Sequence, residues 1–374
     1  SHVTHSSYLM NTAVSTLDRL ALLEQDRLAV LFNGAPASST LPEWISHSWR
    51  RCLSNGLHPD YSVAFDAVSA AHITRTLDLQ RDFVQAAQPE IERLCRAIAG
   101  TSFFALLTDA KGVVLDVGGS INRHDKRVEA IARVGVDLSE ESVGTTAISA
   151  ALTELRPVWL HRGEHFFRDT SVYSCAGAPI WGPQGDCIGM LDLTGINTPE
   201  RPELMHLAAL SARTIGNALL LRQEHDLLLR LNWPGRLMGD DNDGLVLLSK
   251  EGEVLGANIL AREMLNLYPQ PGNSLHASDV FALPWTLLFD AASKDHYLDV
   301  PLWSGLHLQA RAFVEQSCEK APHISSTGPL QQLQSAMIRK AIDLSRGNVS
   351  QAAKALGISR ATLYRKLSRT GPKH

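Results

Sequence analysis

The chain has 374 residues, 44% hydrophobic and 20% charged, with a formal net charge of −4. That length supports two or three domains with cores of their own. No run approaches the ~20 consecutive apolar residues that a bilayer-spanning helix needs, which argues against a membrane partner. The N-terminus lacks a positive-then-apolar signal pattern, and Cys52, Cys95, Cys175, Cys187 and Cys318 are scattered without paired spacing. Reduced thiols in a cytoplasmic protein are therefore expected, not a disulfide framework or a zinc finger.

Residues 1–80 read as an N-terminal helical region. Leu17, Leu20, Leu23, Leu28 and Leu31 recur at helical spacing before the stretch 34–40 breaks the pattern. A second amphipathic helix begins near Ile45 and is stopped by Gly56 and Pro59. Within it, Trp49, Arg50 and Arg51 are read as a buried Trp beside solvated Arg, in preference to a basic contact surface.

Residues 81–200 are mixed in pattern. A helix around 91–98 leads into two apolar runs flanking the turn at 109–112, a β-hairpin signal. A helix is expected at 142–155 with Gly144, Thr145 and Thr146 in its first turn. Strands follow at 157–160, 174–181 and 187–192, the last two joined by Gly182-Pro-Gln-Gly-Asp186. An antiparallel sheet with helices on one face fits this order.

The leucine-rich stretch 203–231 predicts one long helix ended by Pro234 and Gly235, so 201–233 is read as a connecting and dimerisation helix. Residues 234–315 form a second, smaller module. Its expected parts are strands at 245–248 and 253–256, a helix at 259–267 and strands near 297–302 and 306–313. Residues 316–328 turn rich in Pro, Ser, Thr and Gly, the composition of a flexible linker. The fold class is α+β and multidomain: two antiparallel-sheet modules joined by a long helix, then an all-α C-terminal segment from 329 to 374.

That last segment carries the sharpest chemistry. Asn348 can cap a short Ala-rich helix that Gly357 terminates, and Ser359 caps a second helix after the interval of a helix-turn-helix corner. Ile358, Leu363, Tyr364 and Leu367 fall on its inward face, leaving Arg360, Thr362, Arg365, Lys366 and Arg369 pointing away. From Arg339 onward nine Lys/Arg stand against the single acid Asp343, a net +8 that leaves −12 on the rest of the chain. A basic end on an acidic body is the footprint of a tethered nucleic-acid-binding module. The DNA-contact set is therefore Ser359, Arg360, Thr362, Tyr364, Arg365, Lys366 and Arg369, and a homodimer on two half-sites is expected.

Several stretches together, Ile45-Ser-His-Ser-Trp-Arg-Arg-Cys52, Glu141-Ser-Val-Gly-Thr-Thr-Ala-Ile148, His165-Phe166, Cys175-Ala-Gly-Ala-Pro-Ile180 and Gly189-Met-Leu-Asp-Leu-Thr-Gly195, resemble the acetoin/glycerol-metabolism regulators of the AcoR and DhaR type. The resemblance implies a GAF sensor at 81–200, a PAS-like domain at 234–315 and a Fis-type helix-turn-helix at 329–374. The family's AAA+ ATPase has no counterpart, because no Gly-x-x-x-x-Gly-Lys-Ser/Thr occurs. The function this implies is a ligand-responsive transcription regulator, not an enzyme, acting without ATP hydrolysis and by contact with RNA polymerase or by blocking it. It needs no cofactor and no metal. Acetoin, polyols, alcohols and aldehydes are the effectors the resemblance implies. The alternatives are a DNA-bound antagonist of a full-length ATPase-containing relative, and a metal- or haem-binding sensor or GAF-based enzyme.

GAF pockets lie between the sheet and the helices over it, which places the expected effector near Thr145, Thr146, Trp159, His161, His165, Phe166, Phe167, Tyr173 and Cys175. The aromatic members are equally at home in a core, and the histidines as structural hydrogen-bonding groups. Cys175 with His161 and His165 has the donor types for zinc or haem iron but no tight spacing, and those of a nucleophile and base but no orienting acid or oxyanion site visible in sequence. For the DNA end, Arg360→Ala or Arg365→Ala is expected to weaken operator binding by about 1–3 kcal/mol if the side chain reads a base, and mainly to lower the salt slope if it meets phosphate. Titrations at two salt concentrations distinguish the two, and no loss in either variant overturns the assigned face.

Overall fold

Alternate residues of Phe103-Phe-Ala-Leu-Leu-Thr-Asp are drawn to two separate apolar layers, and this organises the first half of the molecule. In the computed structural model, residues 16–38, 41–267, 274–294 and 296–314 are described, all within one unit. The expected linker and helix-turn-helix, with Ser359, Arg360, Thr362, Tyr364, Arg365, Lys366 and Arg369, lie outside the described residues.

The N-terminal helices are α1 (Thr16–Arg27), which runs on into a wider turn at Leu28–Phe32, α2 (Glu43–Ser54), α3 (Ala70–Leu79) and α4 (Arg81–Ile98). The hairpin of β1 (Phe103–Asp109) and β2 (Val114–Gly118) follows, then α5 (Lys126–Ile131), α6 (Glu140–Val143), α7 (Ala147–Glu154), β3 (Val158–His161), β4 (Tyr173–Trp181), β5 (Cys187–Ile196) and α8 (Leu204–Leu220). The strands form one antiparallel sheet in the order β2-β1-β5-β4-β3.

Its faces are covered on both sides, not on one as the sequence pattern suggested. Phe103, Ala105 and Leu107 join Phe83, Ile91 and Leu94 of α4 and Ala208, Ala212 and Ile215 of α8. Phe104, Leu106, Met190 and Leu160 join Val128 and Ile131 of α5 and Ala147, Ile148 and Ala151 of α7. Gly177 makes the second layer possible, because a Cβ there would stand 2.7 Å from the Ala147 carbonyl oxygen.

Two helix expectations need correction. The helix placed at 142–155 is divided between α6 and α7 by Gly144 at φ +66°, a conformation costly for residues with a Cβ. Thr145 is therefore outside any helical turn, and Thr146 is the N-cap of α7, accepting from the Ser149 amide. The helix placed at 203–231 ends at Leu220, and Leu227–Asn232 is strand β6. Leu227, Leu229 and Leu231 are all fully buried in a second core. A spacing of two keeps them on one face of a strand but turns them away from each other on a helix. Burial of roughly 1.5–3 kcal/mol per leucine outweighs the helical preference of a Leu run. The apolar stripe of α8 is itself spent inside the chain, against the first sheet.

The second sheet is β8-β7-β6-β10-β9, from β6, β7 (Gly244–Leu248), β8 (Val254–Ala257), β9 (Leu298–Pro301) and β10 (His307–Val314), again antiparallel. Helices α9 (Ile259–Leu265), α10 (Ala277–Val280) and α11 (Thr286–Lys294) accompany it. The two modules meet along α8 and the β4–β5 turn. Ala257 N and an Arg262 Nη both donate to the Pro183 carbonyl at 2.9 Å, and Asn258 Nδ2 donates to Asn217 Oδ1 at 2.9 Å.

Asn258 is the most heavily used polar side chain of that seam. Its Oδ1 accepts from Ala261 N, capping α9, and from Leu245 N, while Nδ2 also reaches the Asp243 carbonyl. Asn258→Ala removes the cap and orphans buried groups on both sides. A loss of about 2–4 kcal/mol is expected, read as a lowered urea midpoint, and an unchanged midpoint would show the seam to be energetically idle.

Candidate ligand-binding site

The register of the first sheet places a row of side chains beneath α7. Leu106, Asp192 and Gly177 are cross-strand neighbours, as are Phe104, Thr194 and Cys175 one step along the same face. Helix α7 lies over them, starting at Thr146, and Ile131, Leu138, Phe65, Thr170, Tyr173 and His165 complete the walls of a cavity of about 30 Å³. That is room for about two waters or a fragment of similar size.

Two buried polar atoms in these walls have no protein partner: Asp192 Oδ1 and His165 Nε2. His165 Nδ1 lies 2.9 Å from the Arg162 carbonyl, an acceptor, so Nδ1 carries the hydrogen and Nε2 presents a bare lone pair. Burial lowers the His165 pKa to about 4, which keeps the ring neutral. Burial raises Asp192 to about 7, against the opposing hydrogen bond that Thr194 Oγ1 donates to its Oδ2. Cys175 Sγ lies 3.4 Å from Thr194 Oγ1, and burial, reinforced by the Asp192 charge, pushes its thiol well up. A thiol held protonated is a poor nucleophile. The walls are almost wholly apolar, with one unpartnered acceptor and one carboxyl packed just behind their surface, which suits a very small hydroxylated or carbonyl-bearing molecule.

The expected residues divide sharply. Thr146, His165, Tyr173 and Cys175 line the cavity, and Tyr173 Oη donates to the Arg127 carbonyl at 3.0 Å. Thr145 turns the other way, its Oγ1 2.6 Å from Ser48 Oγ of α2. Trp159 packs into the α4/α8 layer beside Phe103. His161 stacks on Trp159, and its Nδ1 lies 2.8 Å from Ser174 Oγ. Because His161 pairs with Ser174 in register while Leu160 pairs with Cys175, His161 and Cys175 are on opposite faces and cannot share a metal. Phe166 and Phe167 pack edge to face, 4.9 Å apart, against Ile45, Trp49 and Cys52. Asp192 and Thr194 were missed, although the alternation Met190-Leu-Asp192-Leu-Thr194 puts both beside Met190.

The loop bearing His165 is held from outside the sheet. Arg27 donates to the carbonyls of Gly163 at 2.8 Å, His165 at 2.7 Å and Phe166 at 2.9 Å, with its guanidinium 5.2 Å from the Trp49 ring centre. Trp49 Nε1 donates to the Glu164 carbonyl at 3.0 Å. Arg51 pairs with Glu140 through two hydrogen bonds at 2.9 and 3.0 Å. The trio at 49–51 is thus a buried Trp beside surface-facing arginines.

Asp192 makes a pH prediction. The unfolded chain releases this proton near ~3.9, the folded chain at about 7, so stability from this group falls as pH rises through that window. His165 works in the opposite sense between about 4 and ~6.5, its contribution rising with pH. Above ~6.5 the His165 contribution is complete, and of these two groups Asp192 alone still slopes, by at most about 1.4 kcal/mol per pH unit. Asp192→Asn is expected to flatten thermal midpoints between pH ~6.5 and ~7.5 relative to wild type. Equal slopes in the two proteins would refute the assignment.

With the geometry established, the chain can be set beside known proteins. The family described as "MimR, N-terminal domain" matches residues 23–217, and "Bacterial regulatory protein, Fis family" matches 329–369. The acetoin catabolism regulatory protein of Cupriavidus necator is 28% identical over 264 residues, covering 68% of this chain and 39% of that protein. The propane 2-monooxygenase operon transcriptional activator MimR of Mycolicibacterium smegmatis is 27% identical over 198 residues, 52% of this chain and 33% of its own. The acetoin dehydrogenase operon transcriptional activator AcoR of Bacillus subtilis is 27% identical over 180 residues, 47% and 29% respectively. The chain thus spans well under half the length of these relatives. Among solved structures, the E. coli DhaR(N)-DhaL complex aligns with 72% of this chain and 98% of its own at 15% identity and a TM-score of 0.46. Since residues 23–217 are just over half of the 374 and take in the whole first sheet with its flanking helices, the chain belongs to the MimR N-terminal domain family.

Proposed function

We propose that this chain is a transcription regulator that binds double-stranded DNA through residues 329–369 and responds to a small hydroxylated or carbonyl metabolite held between α7 and the first sheet. The observation that carries the sensory half is the pair of buried, unpartnered atoms, His165 Nε2 and Asp192 Oδ1, on residues that line one cavity. Buried polar atoms are rarely left without a partner. A hydroxyl that donates to His165 Nε2 and exchanges a hydrogen bond with Asp192 supplies one for each. The Fis-family match over the basic segment supports the DNA-binding half.

The reading includes action without P-loop ATP hydrolysis. Between Val314, the end of β10, and residue 329, the start of the Fis-family match, only fourteen residues intervene, far fewer than the ~50 of a small domain. Ligand occupancy then acts on DNA placement, and contact with RNA polymerase or exclusion of a larger relative from shared operators are the two outputs open to such a chain. A homodimer is expected from half-site geometry and not from α8, whose leucines other than Leu210 pack within the chain.

The test is fluorescence anisotropy on operator DNA with and without ethanol or acetaldehyde, small enough for a cavity of about 30 Å³. Wild type is expected to shift its binding midpoint with at least one of them. Asp192→Ala and His165→Ala are expected to lose that shift while keeping basal DNA affinity. A shift retained in both variants would place the effector elsewhere, and measurable ATP turnover would overturn the mechanism.

A further inference from the structure

Where the two sheet modules meet, a second cleft of about 400 Å³ opens between the end of β4, the α7–β3 corner, α8 and the start of α9. Its size lies in the range typical of small-molecule sites, and its walls belong to both modules: Ala178, Trp181 and Ala212 from the first, Ile259 and Leu260 from the second. Two arginines also line it. Arg156, at the α7–β3 corner, is exposed and makes no hydrogen bond or ion pair among the described residues. Arg213 of α8 uses one Nη on Asn242 Oδ1 at 3.0 Å, yet its Nε is shielded from solvent and unpartnered. The nearby Asp241 accepts from Thr214 Oγ1 at 2.8 Å, and Glu263 stands exposed among the lining residues.

We infer that this cleft binds a small organic carboxylate, its apolar body against Trp181 and Leu260 and its carboxylate between Arg156 and Arg213. Among the described residues Arg156 has no acceptor and Arg213 has one, and a carboxylate between them answers both with charge and planar geometry together. A neutral ligand of the same shape supplies neither. The occupant touches both modules beside the Asn258–Asn217 hydrogen bond, so binding also tightens the seam. This site is separate from the cavity under α7 and does not depend on that cavity being a sensor.

The experiment uses the full chain, with benzoate and hexanoate as probes and benzamide and hexanamide as their uncharged counterparts, in calorimetric titrations and thermal-shift assays. The carboxylates are expected to bind and raise the melting temperature, and the amides to do neither. Arg156→Gln, a surface change, and Arg213→Gln are each expected to weaken carboxylate binding roughly ten- to a hundred-fold. Asp192→Asn should leave it unchanged. Should Arg213→Gln fold poorly, Arg156→Gln and the cleft-filling Leu260→Trp decide the matter. Amides that bind as well as the acids, no binding by either acid, or full binding retained in Arg156→Gln and Leu260→Trp would each overturn the inference.

Discussion

The first module depends on one buried cation. Arg27 is 4% exposed and has no carboxylate hydrogen-bonded to it among the described residues, but three carbonyl oxygens of the loop 163–166 receive its guanidinium, which also lies over Trp49. Burial lowers its pKa, and an arginine stays charged even so. Three carbonyl dipoles aimed at a fixed charge define the path of the loop more tightly than apolar packing, which tolerates sliding. His165, which lines the cavity, thereby owes its position to a residue 138 places earlier.

This arrangement gives the N-terminal helices a role beyond covering the sheet. α2 contributes Ile45, Trp49 and Cys52 to the cluster with Phe166 and Phe167, and its Ser48 meets Thr145. The residues flanking the cavity on the outer side, Thr145 and the two phenylalanines, are therefore spent on docking α2. Gly144 sits at the junction, where an added Cβ would come within 3.0 Å of both Phe166 and Phe167. Cavity and docking surface are back to back on one short stretch of chain.

That geometry explains which parts of the molecule were legible in sequence. Strands β1, β2, β4 and β5 announce themselves by apolar runs between Gly- and Asp-containing turns, and in the second module the strands β7 to β10 and helix α9 do so too, whereas α10 and α11 go unread. β6 does not, because Leu227-Leu-Leu-Arg-Leu continues the leucine content of α8 and leucine is a good helix former. The available signal was the polar break Gln223-Glu-His-Asp226 followed by a spacing of two. In the cavity, position along the chain pointed to the right loop but not to the side that each residue faces. Thr145 and Thr146 are neighbours with opposite allegiances, and only the backbone turn at Gly144 decides between them. Asp192 stood in plain view as an acid inside an apolar strand, a placement that costs free energy unless something answers it.

The strands that floor the cavity also lead out of it. Cys175 and Asp192 lie on β4 and β5, whose connecting turn ends against the second module, where the Pro183 carbonyl takes hydrogen bonds from Ala257 N and Arg262. Gly185 shows how close that contact is: a Cβ there would stand 2.7 Å from the Arg262 guanidinium. A hairpin is stiff along its strands, so a change of spacing under α7 and a change of seating at the seam are not independent displacements. Continuity of this kind supplies a route and no more. It becomes a switch only to the extent that occupancy favours one seating over another, which is a coupling free energy and not a distance. The seam combines the hydrogen bonds of Asn258, Asn217, Arg262 and backbone carbonyls with a buried apolar patch, where Leu220 of α8 packs against Leu245 and Leu247 of β7. The leucine patch contributes burial, whereas the hydrogen bonds demand one geometry, so Asn258 and its partners set how the two modules sit.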